Sequence, residues 1–235
     1  MSDLPKLYAF FPALGVPDPS PFPLKVMMFL KMHGIDHETA SGDLRKAPLG
    51  KIPYMEHKGK VISDSELILD YLEQEYGLPK DDLTAEQHAA GHMICRALEE
   101  RLYWIVVYSR WLEDSSWPTI RDAFFGSVPG LLRGPISNKI RSGMKKTLYG
   151  QGLGRHSREQ IYDFARRDMQ ALSDILGDKP FLFGEKPSRY DCTGLAMAAQ
   201  CTQTELPTQI METVKDFPNL QNYWERGYQQ FFQQN

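Results

Sequence analysis

Cysteine is scarce in this chain of 235 residues: Cys95, Cys192 and Cys201 are its three, all beyond residue 90 and none in a CxxC pair. That excludes a disulfide framework and a paired-thiol redox centre, and leaves three reduced, buried thiols as the expectation. Long apolar runs are also missing. The most apolar stretch, around Leu102 to Tyr108, falls far short of the roughly 18 consecutive apolar residues of a membrane-spanning helix. Positive charge is not in excess: the net charge is −3 and the pI near 6.1, which gives no field for gathering phosphates and excludes nucleic acid as a partner on electrostatic grounds. The start, Met1-Ser2-Asp3-Leu4-Pro5, lacks the basic region and apolar stretch of a signal peptide, so a cytoplasmic protein is expected. His88 and His92 stand four apart, but the sequence places no third ligand beside them, so they read as a solvated helix face and no metal is expected.

What is present is an ordinary globular composition, 42 % hydrophobic and 24 % charged, enough for a substantial core. Lys6 to Phe11 is β-prone and runs into Pro12, Pro17, Pro19, Pro21 and Pro23, which forbid regular structure until a helix begins. Ser20 followed by Pro21 reads as an N-cap with proline at the first helical position, opening a helix to about Met32 that Gly34 closes. A short strand fits Asp36 to Thr39, and Ile52 to Glu56 with Lys60 to Ile62 fit a hairpin turning at Lys58-Gly59. Ser63 with Glu66 then predicts a capping box before the periodic run Leu67, Ile68, Leu69, Tyr71, Leu72. Beyond residue 79 the pattern is helical only. Thr84 with Gln87 opens a helix reaching about Glu113. Ser157 with Gln160 opens one ending at Gly177, Ser188 with Asp191 one to about Gln203, and Pro218 the last. The division expected is 1–79, α/β and thioredoxin-like, and 80–235, all helical.

Lys51-Ile52-Pro53, followed eleven residues later by Asp64-Ser65 at a helix start, is similar to the glutathione-site signature of glutathione transferases. More specifically, Ser20-Pro21-Phe22-Pro23-Leu24-Lys25-Val26, Asp64-Ser65-Glu66-Leu67-Ile68, Glu99-Glu100-Arg101-Leu102-Tyr103-Trp104, Gly154-Arg155-His156-Ser157, Phe181-Leu182-Phe183-Gly184 with Asp191, and Phe217-Pro218-Asn219-Leu220 resemble the failed axon connections and metaxin-like branch of that superfamily. The likeness covers nearly the whole chain. It implies a thioredoxin-like N-terminal domain, an all-helical glutathione-transferase C-terminal domain, and glutathione as co-substrate. It implies that Ile52, before a cis Pro53, pairs main chain to main chain with the tripeptide's cysteine, with Lys51 beside it, while Asp64 and Ser65 hold the γ-glutamyl end. The branch usually reads SPFC at the first helix. Pro23 stands in the cysteine's place here, so thiol chemistry at that position is lost, and Phe10 and Phe11 occupy the place of the tyrosine of other classes. Ser20 then becomes the candidate that activates the thiol.

A thiol of pKa about 8.5 is a few per cent ionised at neutral pH, and a hydroxyl donor at a helix N-terminus stabilises its anion. Lowering the pKa by about two units raises the thiolate roughly 25-fold, yet a Brønsted coefficient near 0.45 takes back about eightfold, leaving about threefold. Most of the acceleration must come from holding an electrophile against the sulfur. Trp104, Tyr108 and Trp111, at i, i+4 and i+7, are the expected wall of that pocket, and interdomain core is their other reading. Asp191 is assigned to folding. Two functions remain open at this point: conjugation of glutathione to small apolar electrophiles in cytoplasmic detoxification, with a homodimer common among such proteins, or a non-catalytic metaxin-like adaptor. The retained Ile52-Pro53 and Asp64-Ser65 pairing favours the first.

Overall fold

The computed structural model describes residues 3–202 and 205–233. Its first part runs β1 (Lys6–Ala9), α1 (Pro21–Met32), β2 (Glu38–Ser41), β3 (Tyr54–His57), β4 (Lys60–Ser63) and α2 (Ser65–Tyr76). The strands form one sheet in the order β2-β1-β3-β4, with β1 parallel to β2 and antiparallel to β3. This is the expected thioredoxin-like arrangement. The hairpin turns on Lys58 and Gly59, both left-handed at φ 48° and 75°, as a two-residue turn between right-twisted strands requires.

Three local expectations shift. The first strand stops at Ala9 rather than Phe11 because the Phe10 amide donates to the Asp18 side chain instead of a ladder. The second strand lies two residues later than expected, Lys6 pairing with Glu38. At α2 the capping residue is Asp64, whose carboxylate accepts from the Glu66 amide at 2.9 Å. Ser63 does not cap because it is still extended in β4, paired with Tyr54, and its hydroxyl is buried without a partner.

The helical part continues with α3 (Ala85–Ala97), a π-helical turn over Leu98–Leu102, and α4 (Tyr103–Trp111). The single helix expected to Glu113 is thus widened by one turn in its middle and ends two residues early. There follow α5 (Trp117–Phe125), α6 (Gly130–Gln151), α7 (Arg158–Leu176), α8 (Arg189–Cys201), α9 (Gln209–Val214) and α10 (Pro218–Tyr228), the last passing into a π turn at Gln229–Gln233. Capping boxes form at Thr84 with Gln87, Ser157 with Gln160 and Ser188 with Asp191. Gln203, the expected end of α8, lies outside the described residues.

α8 is the axle of the molecule. Every residue from Asp191 to Cys201 is buried, and α1, α3 and α10 pack against it. Asp191 is fully buried and accepts from the Ser188 amide and hydroxyl, the Leu182 amide and the Tyr223 hydroxyl at 2.7–2.8 Å. Four donors on one carboxylate give it the folding role expected of it. α1 contributes a nearly continuous apolar surface, Leu24 and Val26 to Leu30, broken by a single charge at Lys25. Cys95, Cys192 and Cys201 are free and buried, and burial pushes their thiols up, that of Cys95 to about 11 and that of Cys201 to about 12.

Candidate functional site

A cavity of about 420 Å³ opens between the sheet end of the first part and the α3–α4 rod of the second. Ser20, Lys51, Ile52, Pro53, Asp64, Ser65 and Trp104 all line it. So chain segments widely separated in sequence meet at one concavity. Tyr108 and Trp111 do not line it. Tyr108 packs edge-on against Tyr162, and Trp111 sits in a separate aromatic cluster with Trp117, Phe124 and Phe125. Tyr108 and Trp111 lie one and two turns beyond Trp104 on α4, roughly 6 and 10 Å further along its axis at 1.5 Å per residue, and so pass beyond the cavity. The aromatic wall consists of Phe10, Phe22, Tyr103 and Trp104, with Met144 from α6 and Leu44 completing it.

Ile52 leads into a cis peptide bond with Pro53. It precedes β3, and its own N–H and C=O take no main-chain partner among the described residues. An extended peptide therefore has a free edge to pair with, while the Ile52 side chain is buried over Gly42. A Cβ at Gly42 would stand 2.7 Å from Ile52 Cδ1, so a larger residue there would make the end of the Ile52 side chain shift. Opposite, Asp64 holds φ 82°, ψ 133°, an unfavourable backbone for a non-glycine residue that costs on the order of 1–3 kcal/mol. Ser65, the first residue of α2, is buried, and its hydroxyl has no hydrogen-bond partner among the described residues. A hydroxyl at a helix N-terminus is a receptor for a carboxylate.

The N-terminus of α1 is poor in donors. Pro21 and Pro23 have no N–H, the Ser20 amide is taken by Asp18 Oδ1 at 2.8 Å, and the Leu24 amide bonds the Ser20 carbonyl. Phe22 supplies the one amide left over in this turn. The Ser20 side chain makes no capping hydrogen bond, so its hydroxyl is free at the cavity wall. Pro23 is tolerated where it stands because the third residue of a helix has no obligatory intrahelical partner for its N–H.

Behind the cavity runs an ion network that the sequence did not announce. Lys25, 2 % exposed, donates to Glu66 at 2.5 Å and to Glu99 at 3.0 Å. Arg96 closes on Glu99, and Arg189 reaches Glu66, Asp70 and Glu73 at 2.7–2.9 Å. Burial opposes the charge of Lys25, but Glu99 and Glu66 outweigh it and its pKa is raised. Burial likewise opposes ionised Glu66, yet Lys25, Arg189 and Arg96 hold its pKa below the usual carboxylate value. A lone lysine inside Pro23-Leu24-Lys25-Val26-Met27-Met28 was the available signal, since an unpaired buried ammonium is too costly to keep. His88 is half-buried rather than solvated, its Nδ1 lying 3.0 Å from the Tyr190 hydroxyl, while His92 is exposed. No group of three metal-ligating side chains occurs among the described residues.

A sequence model of the glutathione S-transferase N-terminal domain matches residues 21–116, and one of the glutathione S-transferase C-terminal domain matches 165–227. The isoprene-epoxide–glutathione S-transferase of Rhodococcus sp. strain AD45 is 34 % identical over 243 aligned positions, covering 96 % of this chain and 98 % of that protein. The chain belongs to the glutathione S-transferase family. Within it, the Drosophila melanogaster protein Failed axon connections is 32 % identical over 84 % of this chain and 50 % of its own length, which places the chain near that branch. Among solved structures, a glutathione S-transferase of Ceriporiopsis subvermispora in complex with glutathione superposes with a TM-score of 0.67, covering 98 % of this chain and 97 % of that one at 16 % identity, a likeness of fold. In this transferase the cavity described above is where the Ile52 edge, the α2 N-terminus and the α1 N-terminus converge.

Proposed function

We propose that this transferase conjugates glutathione to small apolar electrophiles at the cavity between its two halves, with Ser20 donating to the thiolate. The convergence of a free Ile52 peptide edge, the Ser65 hydroxyl at the α2 N-terminus and an uncapped Ser20 hydroxyl on one concavity carries the reading. Glutathione lies extended along Ile52 and Pro53, its γ-glutamyl carboxylate at Ser65 and Asp64 receiving its ammonium, with Lys51 at the rim. Its sulfur sits at the α1 N-terminus, where Ser20 Oγ–H and the Phe22 amide are the donors for the anion. The thiolate then forms a carbon–sulfur bond to an electrophile held against Phe10, Phe22, Tyr103 and Trp104. An epoxide, the substrate class in the name of the Rhodococcus relative, opens by carbon–oxygen cleavage, and the released oxygen takes up a proton.

The division expected after residue 79, between a glutathione-binding part and a helical part, suits this reading, since the cavity is lined from both sides of it. No described helix is long and apolar enough to cross a membrane, and with the glutathione reading this supports detoxification in the cytoplasm. The family's habit of pairing supports a homodimer. A non-catalytic adaptor would have no use for the free peptide edge. Calorimetric titration with glutathione tests the reading: binding of one tripeptide per chain, abolished by a product analogue, is expected, and no heat at millimolar ligand would overturn it.

A further inference from the structure

The connection from β1 to α1 is long and rich in proline, yet it is organised around one carboxylate. Asp18 has 0 % exposure. Its Oδ2 accepts from the Phe10 amide at 2.8 Å and its Oδ1 from the Ser20 amide at 2.8 Å. Those amides belong to the two ends of the loop, and both residues line the cavity. Between them Ala13 and Val16 exchange two backbone hydrogen bonds across a turn at Leu14 and Gly15, so the excursion folds back on itself. The far side of the clasp is tied to the helical part. Arg110 of α4, 6 % exposed, donates to the Pro19 carbonyl at 2.5 Å and to Gln200 Oε1 at 2.7 Å, while Gln200 Nε2 donates to the Asp18 carbonyl at 3.3 Å.

We propose that Asp18 is the positioning residue for Ser20: by holding the Ser20 and Phe10 amides it fixes the entry into α1 and with it the place of the Ser20 hydroxyl at the cavity wall, where it serves the thiol. A carboxylate suits the task because both of its oxygens are acceptors. An asparagine offers one oxygen and turns an NH₂ towards the second amide, a donor against a donor. An N-cap serine ordinarily spends its hydroxyl on the helix's second or third amide. Here Ser20 holds the ordinary extended N-cap backbone, φ −109°, ψ 135°, yet its side chain makes no capping hydrogen bond, and the third residue, Pro23, has no amide to receive one.

The arrangement has a cost. Burial pushes the Asp18 carboxyl up to about 7, with the Ser20 and Phe10 amides and the Arg110 charge pulling the other way. The other titratable groups facing Arg110 are Tyr103 on α4 and Cys201 on α8. Protonation of Asp18 removes an acceptor from one of the two amides and loosens the clasp.

The kinetic part of the test rests on the glutathione reading, and the spectroscopic part does not. Asp18→Asn and Ser20→Ala are made singly and together, with folding checked by thermal melting and glutathione affinity by calorimetry. Asp18→Asn is expected to lower kcat about fivefold to tenfold with glutathione affinity within about twofold, and to remove the limb of the pH profile near neutrality. In the Ser20→Ala background it should lower kcat no further. An equal loss of kcat in both backgrounds would overturn the proposal, because Asp18 would then act elsewhere. Should the asparagine variant fail to fold, the wild type decides by NMR: the Ser20 and Phe10 amide shifts must move with the Asp18 carboxyl titration, and amides indifferent to it refute the clasp. A wild type that binds no glutathione yet shows the coupled titration removes the glutathione reading and leaves the clasp standing.

Discussion

The Ser20 hydroxyl carries unusual weight, because a helix N-terminus ordinarily offers several donors to an anion and α1 offers few. With Pro21 and Pro23 lacking N–H and the Ser20 amide on Asp18, a thiolate there has Ser20 Oγ–H and the Phe22 amide to rely on. Removing one charge-assisted hydrogen bond costs about 1.5 kcal/mol, close to tenfold in rate. Ser20→Ala is therefore expected to lower kcat about tenfold, leave glutathione affinity nearly intact and raise the apparent pKa of the pH–rate profile, since the anion loses a donor. A wild-type rate and profile would reduce Ser20 to an N-cap in name alone. Ser65→Ala makes the opposite split. It should weaken glutathione binding about tenfold, measured by calorimetry, with little change in kcat at saturation. Around the cavity, Ser20, Ile52, Pro53, Asp64 and Ser65 were legible because they stand in the motifs that resemble those of glutathione transferases. Asp18 and Arg110 were not: nothing local distinguishes a buried aspartate in a proline-rich loop from a solvated one.

At the scale of elements, α1 came out at the expected boundaries because proline at its start and Gly34 just past its end punctuate it on both sides. The α3–α4 rod did not. Its capping box at Thr84 is explicit in sequence, but the π turn at Leu98–Leu102, which sets Glu99 and Glu100 at the cavity, leaves no compositional trace. Trp104 arrives there, while Tyr108 and Trp111 turn into other clusters. Insertions of this kind collect at functional sites because they re-aim side chains without breaking the helix. The rod approaches α8 closely at Gly91, where a Cβ would lie 2.5 Å from the Tyr190 ring. Gly91→Ala must push apart the helices or the ring, and overpacking of this sort typically costs about 1–3 kcal/mol. A fall in Tm of several degrees with kcat/KM otherwise preserved is expected, and an unchanged Tm would show that Tyr190 yields freely.

For the molecule as a whole, the ion network joins α1, α2, the α3–α4 rod and α8 behind the cavity. Arg189 bridges from α8 to three carboxylates of α2, and breaking it leaves them facing one another. Partly exposed groups are screened, so the cost of Arg189→Met is set at about 1–3 kcal/mol rather than the larger figure for a fully buried pair. Because the folded pKa of Glu66 is depressed below 4.5, its contribution is present above that pH and lost as pH falls through the folded value. The stability gap between wild type and Arg189→Met, read by denaturant melts, should therefore narrow on acidification below about pH 4.5. Asp18 has the reverse sign. Its folded pKa is raised from 3.8 to about 7, so the folded state holds its proton more tightly than the unfolded chain, and stability from this group is lost as pH rises through 7. The stability of wild type relative to Asp18→Asn should decline from about pH 4 to above pH 7, and a flat difference would mean that the carboxyl titrates normally. A residue that costs stability at the pH where it positions Ser20 is the trade expected of functional sites.

The sequence by itself determined the order of the elements along the chain, the bounds of α1 and the capping boxes of α3, α7 and α8, all from local chemistry: where an amide is missing, where a hydroxyl can cap, where the apolar period changes. Its likeness to glutathione transferases added the class of fold and brought Ile52-Pro53 together with Asp64-Ser65. Only the tertiary structure decided which side chains complete the cavity, because that depends on which turn of α4 faces it and on the depth to which Lys25, Arg110 and Asp18 are buried. Burial is a property of the assembled chain. The same aspartate that is a solvated loop residue in an extended chain becomes, once α4 and α8 close over it, the acceptor that holds Ser20 in place.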